Sequence, residues 1–513
     1  MLERIAPLIL LPGLALADPA FRPVPVSDHI YAGGWEHFVG GGVAAFDCND
    51  DLFPELFVAG GTNAATLFLN ETRERGGPVT LSASTPDALA ITGVIGAYPI
   101  DIDGDGRLDL VVLRVGENLL LKGGPDCNFT PFGPELGFRS GDRWTTSFTA
   151  TWEQGRSLPT LAFGNYVDRT DPDGPFEACD VNLLYRPGNS VYSAPITLEP
   201  GYCALSALFT DWNRQGRADL RLSNDRHYYV RGGEEQLWAM EEAPRLYTAE
   251  EGWRSYSLWG MGIASRDITG NGLPEVYLSS MADQLFQIRE GDGPTWVPAP
   301  FSLGTTAQRP HLGDDGRPST GWHIAFGDVN NDGRDDAFIA KGNVEQMPSN
   351  AMEDPNSLLI QGEDGVFREI SVEAGVASMA RSRGAALVDM NLDGRLDLAV
   401  VNRRVPLEVY ENAAETADRW LQVALAQPGP NTHAVGAWIE LRVSDRVHAR
   451  EITVGGGHAS GAAVPEHFGL GAAEVADLRV IWPDGIASDW VEVEADCILH
   501  VARTAEGLTI ERL

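Results

Sequence analysis

The sequence has little lysine and few basic residues altogether. Only Lys122 and Lys341 are lysines among its 513 residues, and 38 basic residues face 73 acidic ones, so the formal net charge is −35. A field this negative repels a phosphate backbone, which argues against nucleic acid as a partner, and it attracts cations. Hydrophobic residues make up 43% of the chain, which excludes a disordered acidic protein and provides for a folded core.

Long apolar runs are absent except at the N-terminus. A 13-residue apolar stretch from Ile5 to Ala17 follows one early arginine and ends in a small-x-small pattern, which is typical of a secretory signal peptide. The stretch is too short to span about 30 Å of hydrocarbon. We therefore expect residues 1–17 to be a signal peptide cleaved before Asp18. The mature protein is expected to be secreted, periplasmic or on the cell surface, without an integral membrane segment.

Cysteine is scarce, and the chain has no C-x-x-C pair, which excludes a zinc ribbon or a thioredoxin-like site. The odd count of five cysteines leaves at least one free thiol in an oxidising compartment. Cys179 and Cys203 lie in one irregular region, and we expect them to form a disulfide. Cys497 lies in an apolar strand pattern and is interpreted as a core residue.

An aspartate-rich segment of nine residues recurs along the chain, each time before an apolar run. In the clearest copy Asp101, Asp103, Asp105 and Asp109 occupy positions 1, 3, 5 and 9, and Gly106 follows at position 6. Five further copies keep oxygen-bearing side chains at these positions, although leucine replaces the glycine in the first of them. These copies comprise Asp47, Asn49, Asp51 and Glu55; Asp211, Asn213 and Asp219; Asp267, Thr269, Asn271 and Glu275; Asp328, Asn330, Asp332 and Asp336; and Asp389, Asn391, Asp393 and Asp397.

A second apolar strand follows each copy after a turn, for example at residues 119–122 and 228–231. A further strand of this kind, residues 182–186, lacks a clear loop, and we interpret residues 163–168 before it as the start of a decayed one. The loops then start about 45 to 65 residues apart, which is the size of a propeller blade. A stalk of tandem calcium loops would need shorter units without apolar strands.

The pattern therefore predicts an all-β protein with two domains. We expect a seven-bladed β-propeller with calcium-binding hairpin loops over residues 18–415, followed by a small all-β domain over residues 418–513. The polar stretch 411–419 between them suits an exposed connection, so the tail is expected to fold alone and to be independent of metal. The alternative is that the apolar residues 420–425 close the last blade, in which case truncation at residue 415 would leave an open sheet edge.

The loops offer oxygen ligands. Side-chain oxygens at positions 1, 3, 5 and 9 and a carbonyl at position 7 can surround Ca²⁺, which takes 6–8 such ligands. Magnesium prefers a tighter octahedron, and zinc prefers histidine or cysteine. Turn chemistry explains any single copy but not several carboxylates brought together in successive copies. We expect Ca²⁺ at several loops, with Asp211 beginning the poorest of the six because Gln215 stands at position 5, and none at the decayed loop.

Two groups of motifs resemble known families. Residues 326–333, Phe-Gly-Asp-Val-Asn-Asn-Asp-Gly, resemble an FG-GAP (VCBS-type) repeat, the calcium-loop blade of integrin-type propellers. Residues 436–443, 450–455, 467–471 and 481–485 occur in the order of motifs in the ASPIC/UnbV domain. Together they resemble the cartilage acidic protein family and its bacterial relatives. The resemblance implies a calcium-binding propeller with an ASPIC/UnbV-like tail.

Motifs for other chemistry are missing. The chain has no G-x-S-x-G elbow, no H-E-x-x-H and no phosphate-cradling glycine loop. His458 and His467 are interpreted as histidines that hydrogen-bond within a β module. We expect a non-catalytic adhesion or recognition module whose partner is an unidentified protein or glycan. The alternative is a periplasmic or cell-surface enzyme that uses a propeller pocket on a glycan or small molecule; UnbV-type relatives occur in enediyne biosynthesis contexts.

Overall fold

The structure, a computed structural model, describes residues 19–225, 232–306, 308–313, 316–505 and 507–513. The predicted signal peptide and the strand predicted at residues 228–231 lie outside these ranges. The described residues form strands joined by turns and short 3-10 helices, so the predicted all-β class is confirmed. The 3-10 helices in these ranges are Trp35–His37, Pro125–Cys127, Ala249–Glu251 and Phe301–Leu303. Within the same ranges, no helix has the length and apolar character needed to cross a membrane.

Antiparallel units of four strands repeat along residues 21–412, and two of the units are joined into one larger sheet. Each unit is built from consecutive strands except the last, which takes its fourth strand from the N-terminus. The strands are β1 (Phe21–Pro23); β2 (Val43–Phe46), β3 (Glu55–Val58), β4 (Thr66–Asn70) and β5 (Leu81–Ala83); β6 (Val94–Ile100), β7 (Asp109–Gly116), β8 (Leu119–Gly123) and β9 (Phe129–Pro131); β10 (Arg143–Thr151), β11 (Thr160–Asn165), β12 (Asn182–Tyr185) and β13 (Ile196–Leu198); β14 (Ala204–Thr210), β15 (Asp219–Asn224), β16 (Gln236–Ala239) and β17 (Arg245–Leu246); β18 (Gly260–Arg266), β19 (Glu275–Ser280), β20 (Leu285–Arg289) and β21 (Trp296–Pro298); β22 (Gly321–Gly327), β23 (Asp336–Lys341), β24 (Ser357–Gln361) and β25 (Phe367–Glu369); and β26 (Ser382–Val388), β27 (Asp397–Asn402) and β28 (Glu408–Asn412).

The first strands of the sheets form a ring. Strands β2, β6, β10, β14, β18, β22 and β26 contact one another in this order, and β26 returns to β2. The first strands are buried over most of their length. Strand β6 is apolar throughout, whereas β10 is buried although it carries threonine and serine. The last sheet is completed from the N-terminus, because Phe21 of β1 pairs with Asn412 of β28.

The tail, residues 419–513, contains the strands β29 (Arg419–Ala426), β30 (Trp438–Val443), β31 (Arg446–Glu451), β32 (Gly461–Ala463), β33 (Glu466–Gly471), β34 (Val475–Ile481), β35 (Val491–Glu494), β36 (Cys497–Thr504) and β37 (Gly507–Arg512). Eight of these strands form two further four-stranded sheets with the orders β33-β29-β36-β37 and β31-β30-β34-β35. Leu421, Ile439 and Leu478 lie in the core between them, together with Cys497, which is buried and forms no disulfide. Among the described residues, β29 pairs with β33 and β36 of this module, so the alternative that residues 420–425 close the last propeller unit is wrong.

One segment of the tail, residues 452–464, enters the propeller ring, and we call it the plug segment. Its strand β32 pairs in parallel with β2. Isolated bridges to four other first strands join Ala97 with Ser460, Ala150 with Val454, Leu208 with Gly455 and Ile263 with Gly457. The tail is thus built into the propeller, and the expectation that it folds independently is not supported.

His458 lies at the middle of the plug segment and is fully buried. The amide of Gly40 donates to its Nε2 at 3.0 Å, its Nδ1 lies 3.1 Å from the carbonyl oxygen of Met261, and its own amide donates to Nδ1 of His323 at 3.0 Å. Burial lowers the pKa of His458 to about 3. The hydrogen bonds expected of this histidine exist, but they join the tail to the propeller.

Two disulfides connect neighbouring units. Cys179–Cys203 is the predicted pair and links the unit of β10–β13 to β14. Cys48–Cys127 was not predicted; its partners are 79 residues apart and link the loop after β2 to the connection between β8 and β9.

Candidate metal loops

Each predicted loop occupies the same place in its sheet. Strand β6 ends immediately before Asp101, and Asp109 is the first residue of β7. The same relation holds for the loops that begin at Asp47, Asp211, Asp267, Asp328 and Asp389. Because every loop follows the equivalent end of an equivalent strand, the loops share one side of the ring, which we call the loop face.

The position-1 aspartate holds the backbone of its own loop. Oδ1 of Asp101 accepts from the amides of Gly104 and Asp105, and Oδ2 accepts from the amide of Gly106 at 2.8 Å. Gly106 has a φ of +88°, which explains the glycine at position 6. All six copies make the hydrogen bond from the position-6 amide, including the first, where that residue is Leu52.

The position-9 acid ties the loop to the sheet. Asp109 accepts from the amide of Ile102 at 2.8 Å and from that of Gly123, in the third strand, at 2.9 Å. Burial raises the pKa of Asp109 to about 7, and the negative charges of Asp103 and Asp101 add to the rise. Burial likewise raises the pKa of the position-9 acids Glu55 and Glu275, to about 8 and about 7. It also raises the pKa of the position-1 acid Asp389 to about 7.

The side chains at positions 3 and 5 turn toward these acids. Asn330 donates to Asp332 at 3.0 Å, and the hydroxyl of Thr269 donates to Glu275 at 3.1 Å. In the first loop Asn49 donates to Asp51 at 3.1 Å. The predicted side chains in these three loops therefore lie beside one another within their own loop.

The loop at Asp101 shows best whether a hard cation fits. One carboxylate oxygen each of Asp101, Asp103 and Asp109 lie within 4.8 Å of one another. Oδ1 of Asp103 is buried and has no hydrogen-bond partner among the described residues. The ligand set consists of oxygens alone, which fits Ca²⁺. Nζ of Lys122 contacts Asp103 and lies 2.7 Å from Asp105, a competing cation that the loop sequence did not indicate.

The loop at Asp211 fits a cation less well. Its position-9 residue, Asp219, accepts from the indole of Trp212 at 2.9 Å and from the hydroxyl of Tyr247 at 2.7 Å. Nε of Arg217 lies 3.3 Å from the same carboxylate. Like the loop at Asp267, this loop has two acids and an amide at position 5, but here the contacts with Trp212, Tyr247 and Arg217 already occupy the position-9 acid.

The decayed loop lies at residues 152–159, and its prediction at 163–168 was wrong. Strand β10 ends at Thr151 and β11 begins at Thr160, so Trp152 stands at position 1 of the equivalent connection. Residues 163–165 belong to β11, the second strand. None of positions 1, 3, 5 and 9 is acidic here, so the loop has lost its ligands.

The tail covers the loop face, which the sequence did not predict. The hydroxyl of Thr432 donates to Oδ2 of Asp101, and the amide of Gln422 donates to Oδ2 of Asp389 at 2.6 Å. A cavity of about 620 Å³ lies between the loops and the tail and is lined by these four residues among others. Further contacts join Gly471 with Asn331, His467 with Gly394, Glu451 with Asp211, and Arg450 with Asp335.

Two family matches fall on these parts of the chain. Residues 47–112 match the FG-GAP-like repeat, and residues 427–507 match the family described as ASPIC and UnbV. The chain thus carries an FG-GAP-like repeat and a C-terminal ASPIC/UnbV region, as its motifs predicted. It is 25% identical to cartilage acidic protein 1 of Xenopus tropicalis, in an alignment that covers 92% of this chain and 75% of that protein.

Solved structures show weaker similarity. BBS1N in complex with ARL6DN gives a TM-score of 0.44 at 7% identity, covering 77% of this chain and 97% of that one. PorZ, a surface component of the type-IX secretion system of Porphyromonas gingivalis, gives 0.43 at 11% identity, covering 93% and 61%. FG-GAP repeat domains typically occur in extracellular or surface proteins, and together with an ASPIC/UnbV region they suggest a recognition or adhesion type of protein.

Proposed function

We propose that the protein is exported, binds Ca²⁺ in five of its loops, and serves as a non-catalytic recognition or adhesion module. The observation that carries the calcium proposal is the loop at Asp101, where one carboxylate oxygen each of Asp101, Asp103 and Asp109 lie within 4.8 Å of one another. The other loops place a buried acid at the equivalent position 9, and burial raises the pKa of Glu55, Glu275, Asp336 and Asp397. A divalent cation offsets the cost of burying these charges. The five loops are those that begin at Asp47, Asp101, Asp267, Asp328 and Asp389.

Calcium counting on the intact chain tests this proposal. Asp105→Ala and Gln215→Ala change the same position in two different loops, so they form a matched pair. We expect native mass spectrometry to find one bound calcium fewer for Asp105→Ala and an unchanged count for Gln215→Ala. Equal losses in the two variants, or a wild type without bound calcium, would contradict the proposal.

Calcium in these loops should also stabilise the propeller, because each loop joins two strands of a sheet. At free calcium 100 times Kd, each site contributes about 2.7 kcal/mol by mass action. The summed contribution of several sites is large compared with a total free energy of unfolding of about 5–15 kcal/mol. We expect the Tm in excess chelator to lie well below the Tm in millimolar calcium, and an unchanged Tm would contradict this role.

The contact surface for a protein or glycan partner is proposed to be the side of the ring opposite the loop face. The tail covers the loop face, whereas the connections from second to third strands and between sheets reach the other side. Phe301 and Phe176 on these connections are 76% and 64% exposed. Other exposed apolar side chains on such connections are Trp35, Met352, Val372 and Met379.

Binding to a glycan array and to cell surfaces tests this assignment. Phe301→Ser should weaken binding, whereas Ile486→Ser, at a 57% exposed position in the tail, should not. If the two variants lose binding to the same extent, the contact surface does not lie on the side opposite the loop face. Turnover of a captured ligand would favour the alternative of an enzyme, whose pocket would have to lie away from the ring centre because the plug segment occupies it.

A further inference from the structure

We infer that the tail completes two of the metal loops. Thr432 and Gln422 act as positioning residues that orient the position-1 carboxylates of Asp101 and Asp389. Calcium affinity at these two loops then depends on the docked tail, and calcium in turn strengthens docking. This inference rests on the proposed calcium binding and adds a coupling between the metal sites and the ASPIC/UnbV region.

The hydrogen bonds of Asp101 carry the first step. Its own loop supplies three backbone amides, and the hydroxyl of Thr432 adds a donor from another part of the chain, 331 residues away in sequence. A hydrogen-bond donor to a carboxylate oxygen fixes the direction of the carboxylate. A metal ligand whose orientation is already fixed loses less conformational entropy when it binds its ion.

Asp389 repeats the arrangement with a different donor. Gln422 of β29 is buried, and its amide reaches the Oδ2 that also accepts from the amide of Gly394. The tail packs tightly here, because a Cβ at Gly394 would lie 2.0 Å from the ring of Trp420. The contacts of the Gln422 and Trp420 side chains therefore both depend on the loop at Asp389 keeping its present shape.

The loops at Asp47 and Asp267 provide the contrast within the same molecule. The hydrogen bonds found for these two carboxylates come from backbone amides of their own loops. Removing a tail donor should therefore leave calcium at these sites unchanged. Coupling between the sites and the docked tail is reciprocal in free energy, so calcium bound at Asp101 or Asp389 favours docking to the same degree.

Calcium titration calorimetry on the full chain tests the inference. Thr432→Val removes the hydroxyl at nearly constant size and should weaken one site about tenfold, the effect of losing one hydrogen bond to a charged group. Thr432→Ser keeps the hydroxyl and should retain the affinity. Thr509→Val, at an exposed position of the tail, is the matched control. Gln422→Met should likewise weaken one site.

The Asp105→Ala background identifies the affected loop. If Thr432 acts on the loop at Asp101, Thr432→Val should not alter the remaining sites once that loop is disabled. Wild-type affinity in Thr432→Val, or an equal loss in Thr509→Val, would overturn the inference while calcium binding stands. A wild type that binds no calcium would overturn the proposed function and this inference together.

Discussion

Lys122 shows how a single residue can set the strength of a metal loop. Its ammonium contacts Asp103 and lies 2.7 Å from Asp105, at oxygens expected to bind Ca²⁺. Burial raises the pKa of Asp105, but the hydrogen bond and charge of Lys122, together with the amide and charge of Arg107, outweigh burial and leave the pKa below its usual value. The lysine side chain is 36% exposed, so it can turn to solvent. A calcium ion at this loop would have to displace the lysine, so we expect Lys122 to weaken the proposed site.

We therefore expect Lys122→Met to bind calcium more tightly at this loop. The exposed ion pair competes with the metal, so its loss should make the free energy of calcium binding more favourable by about 1 kcal/mol. This corresponds to roughly a fivefold fall in the Kd for calcium. Lys122→Arg keeps the positive charge and should bind about as weakly as the wild type. Calorimetry on the three proteins decides the matter, and a weaker site in Lys122→Met would show that the lysine assists binding.

At the scale of strands, the other lysine has a structural role. Lys341 ends β23 and lies 3.2 Å from Asp354, and both side chains are completely buried. Asp354 also accepts from the hydroxyl of Ser319 at 2.7 Å and the amide of Thr320 at 2.6 Å, at the start of β22. The ion pair thereby joins the first two strands of this sheet to the connection that follows them.

Removing one partner of this pair leaves an uncompensated buried charge. We expect Lys341→Met to lower the free energy of unfolding by about 3–5 kcal/mol in denaturant titrations. The double variant Lys341→Met with Asp354→Leu removes both charges and should recover part of the loss. A loss below about 1 kcal/mol in the single variant would mean that water reaches the pair.

Glu235, directly before β16, makes the stability of its sheet depend on pH. It is fully buried and accepts from the amide of Asn224 at 3.0 Å. Burial raises its pKa to about 7, although the Asn224 hydrogen bond and the charge of Arg221 act in the opposite direction. The folded state therefore holds this proton more tightly than the unfolded state, whose glutamate has a pKa of about 4.3.

The sign of the effect follows from that difference. Between about pH 4.3 and 7 the folded state binds more protons, so stability from this residue is present at low pH and is lost as pH rises. Glu235→Gln, compared with wild type in saturating calcium, should gain relative stability from pH 5 to pH 9. Glu242→Gln, at an exposed position, should show no such trend, and a trend of equal size there would contradict the assignment.

At the scale of the whole molecule, local patterns were predictable and distant pairings were not. The loops were located from sequence because strand, loop and strand lie within about 20 neighbouring residues. Strands β1 and β32 have three residues each, too few for a period, and their partners lie hundreds of residues away. The decayed loop was misplaced because the loop at Trp152 has no acid at positions 1, 3, 5 and 9, and Phe163-Gly164 imitates the start of a repeat.

The plug segment had no sequence signature that distinguished it from a turn. Three consecutive glycines are typical of a turn, but Gly455, Gly456 and Gly457 lie against the first strands and all have positive φ. The oxygen ligands, in contrast, could be predicted from their positions in the nine-residue repeat. The contacts of Thr432, Gln422 and Lys122 with the loops depend on the folded structure and could not be predicted in this way. Long-range contacts therefore decide how the predicted sites differ from one another.

Close contact between ring and plug segment gives the last prediction. A Cβ at Gly96 would lie 1.9 Å from the carbonyl oxygen of Ala459, whereas one at Gly34 would meet no heavy atom within 4 Å. Gly96→Ala should force the plug segment away from β6 and lower the free energy of unfolding by at least about 2 kcal/mol. Gly34→Ala should change it by less than about 0.5 kcal/mol.

The same contacts predict what truncation does. Residues 18–415 alone would leave the inner faces of the first strands without the plug segment that packs against them, so we expect this fragment to aggregate or to melt without cooperativity. Coexpression with residues 416–513 should restore a soluble complex, because the missing packing returns. A monomeric, cooperatively melting fragment 18–415, together with an unaltered Gly96→Ala, would show that the ring is stable without its plug segment.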